Sequence, residues 1–277
     1  MMTNSEVIRA LGRWSHDPAL GERGRKALRR AAIALITTGL SIEALGREGA
    51  LQTLHRVGPF TEGIIRQLLG GTRSSAPDTS GWPEPARREY DRTAPGYDTF
   101  LSLPDARRAI TARGLPPVQG DLQNHTTWSD GAASPRALAR AAQNLGYAYI
   151  AVTDHSGGLA IANGMPAEKM RRQHAALARM NGWLGIRILR GIETNVLPAG
   201  ELDMGEDDLR EVEIVVASCH SLLRRPDDQT VRLVAAVRHP RVHILGHPRG
   251  RIFGTARGIR ADWDAVFAAA AEAGTAI

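Results

Sequence analysis

The sequence predicts an α/β fold built on a parallel sheet and preceded by a small helical module. Three observations carry this reading. Beyond Gly120, short apolar runs of β type alternate with Ala-rich amphipathic segments, the pattern of successive βα units. Upstream of Ser74, apolar residues recur at helical spacing and are interrupted by Gly and Thr. A composition 43% hydrophobic over 277 residues suffices for the core of one large domain and a small one.

Taken in order, residues 1–73 form the helical module, with ALRRAAIALITTGLSIEALG as its most regular stretch. Residues 74–118 are rich in Pro, Ser, Gly and charge and read as a linker, with one docking helix over PDARRAITARG. Residues 119–277 supply the strands GDLQNH, AYIAVTDH, IRILRGIE, VEIVVASCH and VHILGH. Helices are expected between and after them at SPRALARAAQNLG, PAEKMRRQHAALARMNG, DDQTVRLVAAVRH and ADWDAVFAAAAEAG. The first of these carries a sequence-level start signal, Ser134 as N-cap and Pro135 at the first helical position.

No stretch approaches the roughly 20 apolar residues that span a bilayer, and MMTNSEVIRALGRW lacks the apolar core of a signal peptide, so a cytoplasmic protein without membrane contact is expected. The lone Cys219 ends an apolar run and suits a small buried residue in a reducing compartment. The net charge of +6, carried almost entirely by arginine, is compatible with phosphate or acidic partners. A solvated basic face is the commoner source of such a charge.

The chemistry concentrates at the strand ends. Four of the five runs finish on His155, Glu193, His220 and His247, while the first leads into His125 and then Asp130. In a parallel α/β fold the carboxyl ends of the strands share one face, so these side chains converge on one cleft. Of the remaining five histidines, those at 16, 55, 174 and 239 fall on helices and loops. Imidazole and carboxylate suit borderline divalent ions such as Zn²⁺, Mn²⁺ and Fe²⁺, and a glutamate can bridge two of them. Any one histidine alone is more simply a hydrogen-bonded core residue; it is the repeated placement that argues for ligands. In GHPRGR, Gly246 permits close backbone approach, Pro248 stiffens the exit, and Arg249 and Arg251 are placed to clamp a phosphate. Arg224, Arg225 and Arg257 are candidates for the same basic rim, a surface role standing equally open.

At DLQNHTTWSDG, VTDHSGG, GIETN, SCHS and GHPRG the sequence resembles the PHP (polymerase and histidinol phosphatase) family, especially the version joined to bacterial family X DNA polymerases. The resemblance spans residues 119–277 and implies a distorted (β/α)7 TIM-like barrel that hydrolyses phosphoesters with two to three divalent ions. It implies one ion at Gln123, His125 and Glu193, a second among Glu193, His220 and His247, and a third at Asp130 and His155. Where the family has His-x-His, this chain has QNH, so Gln123 offers an amide oxygen and the first ion should bind more weakly. The family's closing Asp-x-His motif would follow AEAGTAI, so the resemblance implies a C-terminally incomplete barrel with little activity.

LHRVGPFTEGIIRQLLGG looks like a helix-hairpin-helix element, which grips the DNA backbone through turn amides. Arg56 stands where the first turn glycine is usual and Gly58 follows; DNA binding there and a plain helical cap remain equally open. The expected function is a metal-dependent phosphoesterase acting on DNA ends, as a 3′–5′ exonuclease or phosphatase. The alternatives are a small-molecule phosphatase of histidinol-phosphatase type and a non-catalytic nucleic-acid-binding protein. A metal-dependent amidohydrolase ranks last, because Lys26 and Lys169 lie away from any strand end where a bridging lysine would be needed. The oligomeric state is left open.

Overall fold

In the computed structural model, which describes residues 2–182, 184–251, 253 and 258–277, the chain divides into two compact units. One comprises Met1–Pro116 with Arg251–Arg257, the other Pro117–Gly250 with Gly258–Ile277.

The first unit is helical. It contains α1 (Asn4–Trp14), α2 (Gly21–Leu35), α3 (Ile42–Glu48), α4 (Pro59–Leu69), α5 (Glu84–Thr93) and α6 (Leu103–Ala112). Thr3 and Glu6 close a capping box over the first turn of α1, satisfying amides that the helix cannot. Leu11, Leu28, Leu35, Ile42, Leu51 and Ile65 form its core. The stretch expected as a linker is more ordered than its composition suggests: α5 starts on the Pro83-Glu84-Pro85 run, where proline's missing amide costs nothing. Tyr97 is then buried against α1 at Gly12, where a Cβ would fall 2.8 Å from the ring's Cγ. Phe253 packs edge-on against Tyr97 and Phe100, with centroids 4.9 and 5.1 Å apart.

The second unit is a five-stranded parallel sheet in the order β1 (Gly120–Asp121), β2 (Tyr149–Val152), β3 (Arg187–Asn195), β4 (Ile214–Ser218) and β5 (Ile244–Gly246), curved as half a barrel. Helices α7 (Pro135–Asn144), α8 (Ala167–Asn181), α9 (Glu206–Leu209) and α10 (Thr230–Val237) lie between the strands, and α11 (Trp263–Ala273) follows. Successive strands therefore pair in sequence order, as βα crossovers require. The long β3 serves two neighbours: its first half pairs with β2 and its second, Gly191–Asn195, with β4. Ile150, Val152, Ile188 and Leu177 pack on one part of the sheet, and Ile192, Val215, Leu245 and Val266 on the next. Beyond α11, Ala276 bridges Ile244 in parallel. β1 is shorter than the run GDLQNH because Asp121 turns back to accept from the Gln123 amide at 3.0 Å, ending the ladder.

Arg232 on α10 is 3% exposed and spends its guanidinium on backbone. It donates to the carbonyls of Val196, Leu197 (2.9 Å) and Ser221 (3.0 Å) and to the Gln229 side chain (2.7 Å), tying together the turns that leave β3 and β4. Arg232→Met keeps the stem and strands those buried acceptors, so it should lower stability by about 2–4 kcal/mol in denaturant titration. In the helical unit His16 is 8% exposed, with Nε2 3.2 Å from the Tyr97 hydroxyl and 3.3 Å from Thr93 Oγ1. Burial, helped by Arg29, pushes its pKa down to about 4. The folded unit thus binds fewer protons at His16 than the unfolded chain, so this contribution is complete above about pH 6.5 and is lost as pH falls toward 4. Thermal midpoints across that window should fall more steeply for the wild type than for His16→Gln.

Candidate metal centre

Each expected ligand sits just at or past a strand end. His125 and Asp130 lie in the loop after β1, His155 follows β2, Glu193 is in β3, His220 follows β4 and His247 follows β5. The register sets neighbouring strand ends side by side, with His155 bridged to Glu193 and Ser218 paired with Gly246.

Glu193 is the centre. Its side chain is 1% exposed, and its two oxygens address different pairs of imidazoles. Oε2 lies 3.3 Å from His125 Nε2 and 3.1 Å from His155 Nδ1. Oε1 lies 3.2 Å from His247 Nε2 and 3.6 Å from His220 Nε2. None of these contacts aligns as a hydrogen bond, so both carboxylate oxygens are buried polar atoms without a partner of that kind. Unpaired buried carboxylate is costly. Two ligands about 2.1 Å from a shared ion, at tetrahedral or octahedral angles, lie about 3.0–3.4 Å apart. The observed separations, including 3.3 Å between His220 Nε2 and His247 Nε2, match that spacing. The donors therefore fit two divalent ions flanking one carboxylate, as the groupings His125/His155/Glu193 and Glu193/His220/His247 show.

Charge follows the same geometry. Burial would raise the Glu193 carboxyl, but its pairing with His125 and His247, with Ser218 and His155 nearby, outweighs burial and holds it well below the usual carboxylate range. His125 and His247 are pushed up by that pairing, whereas burial pushes His155 and His220 down. The His125 and His155 rings stack with centroids 4.2 Å apart. Asp130, exposed, stands 3.7 Å from His155 Nε2 on the outer side of the pair. His247 holds a φ of +24°, unusual for a residue with a Cβ. Gly246 before it lets β5 close on β4: a Cβ there would overlap Ser218 Oγ and stand 2.7 Å from Val216 Cγ1.

The remaining expected residues fall less uniformly. Gln123 is adjacent to His125, its Nε2 3.3 Å from His125 Nε2, while its Oε1 accepts from Thr153 Oγ1 at 2.9 Å. The oxygen a metal would prefer is thus engaged elsewhere. Arg249 is exposed, its guanidinium 5.3 Å from the centre of the Trp263 ring, and Arg251 covers Phe100 at 4.7 Å. Arg225 pairs with Asp227 at 2.7 Å, Arg224 is exposed, and Arg257 lies outside the described residues. In the helical unit Arg56 adopts φ +66°, the conformation for which glycine is the usual choice, and Gly58 caps α4.

Several positioning groups escaped the sequence reading. Asp154 is fully buried and accepts from Thr126 N (2.7 Å), Thr126 Oγ1 (2.6 Å), Ser129 N (3.1 Å), Ser129 Oγ (2.5 Å) and Gln173 Nε2 (2.5 Å). It pins the loop that carries His125 and Asp130. Asn195 and Asp203 do comparable work behind His220. The available signal was a carboxylate directly before His155 and an Asn two residues beyond Glu193, both at strand ends.

Comparison with known proteins agrees with this geometry. Residues 121–247 match the PHP domain family. The DNA polymerase/3′-5′ exonuclease PolX of Bacillus subtilis is 41% identical over 165 residues, covering 59% of this chain and 29% of that protein. A probable phosphatase of Acetivibrio thermocellus is 30% identical over 135 residues, covering 46% and 53% of the two chains, and one of Syntrophotalea carbinolica is 28% identical over 163 residues, covering 57% and 63%. The chain thus spans under a third of the Bacillus protein and rather more than half of these two phosphatases. The strand-end ligands, set by the parallel sheet around one carboxylate, lie within the residues that match the PHP domain family, and the second unit is in this respect similar to the PHP domain of a bacterial family X DNA polymerase.

Proposed function

We propose that the chain is a divalent-metal-dependent phosphoesterase, and that its substrates are DNA ends. The observation that carries the first part is Glu193, a buried carboxylate with an imidazole pair at each oxygen and no hydrogen bond to either. His125, His155 and Glu193 would hold one ion and Glu193, His220 and His247 a second; a third beside Asp130 would take the His155 lone pair in place of the first, since a neutral imidazole lends only one; Gln123 would join the first only by turning its amide. Such ions lower the pKa of water and neutralise phosphoryl oxygens, with Mn²⁺, Zn²⁺ or Fe²⁺ all suited to this donor set. Glu193 keeps its charge in the pocket, and the four imidazoles present nitrogen rather than competing anions to an incoming phosphate. Arg249, exposed two residues past His247, would leave the Trp263 ring to reach a non-bridging oxygen.

DNA as substrate rests on two supports. The Bacillus relative is named a polymerase and 3′-5′ exonuclease. In the helical unit a concavity of about 650 Å³ is lined by Arg23, Arg56, Gly58, Pro59 and Phe60 at the start of α4. Gly58 brings no capping side chain, so first-turn amides and two guanidinium groups are available there to a backbone phosphate. The phosphatase names of the other relatives favour a second reading, hydrolysis of small phosphomonoesters by the same centre.

With Mn²⁺ supplied, the purified chain should release nucleotides or phosphate from single-stranded DNA faster than phosphate from an aryl phosphate. Glu193→Gln should lower kcat/KM by on the order of 10² or more. Hydrolysis that persists in excess chelator would overturn the metal assignment, and a preference for the aryl phosphate would overturn the DNA assignment.

A further inference from the structure

The imidazoles of the centre are not equally prepared. His125, whose Nε2 faces Glu193, buries its far Nδ1 without a hydrogen bond, and His155, whose Nδ1 faces Glu193, has on its far Nε2 only the exposed Asp130, 3.7 Å away. His220, by contrast, sets Nδ1 2.6 Å from Asn195 Oδ1. Which way that amide points is determined by its other end: Asn195 Nδ2 faces the Asp203 carboxylate and lies 3.2 Å from Ser156 Oγ. A flipped amide would press its oxygen against a carboxylate, so Nδ2 must be the donor end and Oδ1 the end that meets His220. An amide oxygen only accepts. His220 Nδ1 therefore carries the proton, and Nε2 is left with a lone pair aimed where Glu193 Oε1 and His247 Nε2 converge, 3.6 and 3.3 Å away.

Asp203 fixes Asn195 in turn. Its carboxylate also accepts from Ser156 Oγ (2.8 and 2.7 Å), Gly158 N (3.1 Å), Thr194 Oγ1 (2.6 Å) and Asn195 N (2.9 Å), gathering the loop after β2 and the end of β3 onto one anion. A tight turn makes this possible: Val196 bridges Leu202 in antiparallel fashion and brings Asp203 back beside Asn195. Neither Asn195 nor Asp203 offers an atom to the pocket itself.

We infer that Asn195, held by Asp203, is a positioning residue that fixes the Nδ1-protonated tautomer of His220 and so makes the Glu193/His220/His247 pocket the tighter of the two metal pockets. The affinity part rests on the metal reading above; the tautomer part does not. A partner on the far nitrogen of a metal-binding imidazole is worth about 10–100-fold in affinity. In the other pair neither imidazole has such a partner at hydrogen-bond distance, Asp130 standing 3.7 Å from His155 Nε2.

Two measurements on the full chain test this. Long-range ¹H–¹⁵N correlation spectra of the metal-free protein at mildly alkaline pH report each histidine tautomer. His220 should show a protonated Nδ1 in the wild type and lose that preference in Asn195→Leu. Mn²⁺ titration against a competing chelator should resolve two affinity classes in the wild type. The tighter should weaken about 10–100-fold in Asn195→Leu, whereas His125→Ala should weaken the other class. Asn195→Ala, which removes the acceptor with a smaller side chain, should weaken the tight class in the same way and covers the case in which Asn195→Leu fails to fold. A protonated Nε2 at His220 in the wild type, or an unchanged tight class in a folded Asn195→Leu, would overturn the inference. If the tautomer behaves as stated while the wild type binds no Mn²⁺, Asn195 keeps its role toward His220, and both the phosphoesterase reading and the affinity ranking fall.

Discussion

A carboxylate buried among imidazoles is the constraint from which the rest of the second unit follows. Glu193 is ionised in a place where water cannot reach it, and ionised carboxylate is tolerated in an interior only when positive or polarised partners surround it. Those partners come from four other βα units. No local segment could supply them, because each strand is followed by a helix before the next strand returns. The parallel sheet is the device that converts distance along the chain into adjacency in space, and the long central strand that carries Glu193 contacts both halves of it.

Around that centre runs a shell of fixed anions and amides. Asp154 and Asp203 are not ligands, yet each collects several donors from separate loops. One arranges the loop bearing His125 and Asp130, the other the backbone around His155 and, through Asn195, the ring of His220. Arg232 does the corresponding work with the opposite charge, gathering carbonyls where these carboxylates gather N–H and O–H groups. The cost of burying Asp154 and Arg232 and half-burying Asp203 is offset by their many hydrogen bonds, which fix the loops that carry the imidazoles.

Much of this could be read from the sequence because the ligands obey a periodic rule. Apolar runs end on His155, Glu193, His220 and His247, and a parallel sheet brings such ends together, so the cluster was legible without coordinates. The groups that hold the ligands were not, since Asp154, Asn195 and Asp203 earn their roles through contacts between loops far apart in sequence. Arg249 and Arg251 illustrate what spacing leaves out. Their spacing alone suggests a matched pair of phosphate clamps, but one guanidinium is over Phe100 and the other near Trp263, a choice that stacking partners make and spacing does not reveal. The stretch 74–118 read as linker because its prolines and charges are abundant, yet proline at a helix start is permissive, and Tyr97 found a buried seat that composition could not announce.

His247 deserves a final thought for its backbone. A residue with a side chain held at positive φ gives up something on the order of 1–3 kcal/mol relative to a relaxed turn. The corner after β5 is therefore a loaded spring, restrained by the short approach of Gly246 to β4 and by the Gly250 amide returning to the His247 carbonyl at 2.8 Å. The approach of this imidazole to Glu193 is thus set by the turn that follows β5 as much as by the strand itself.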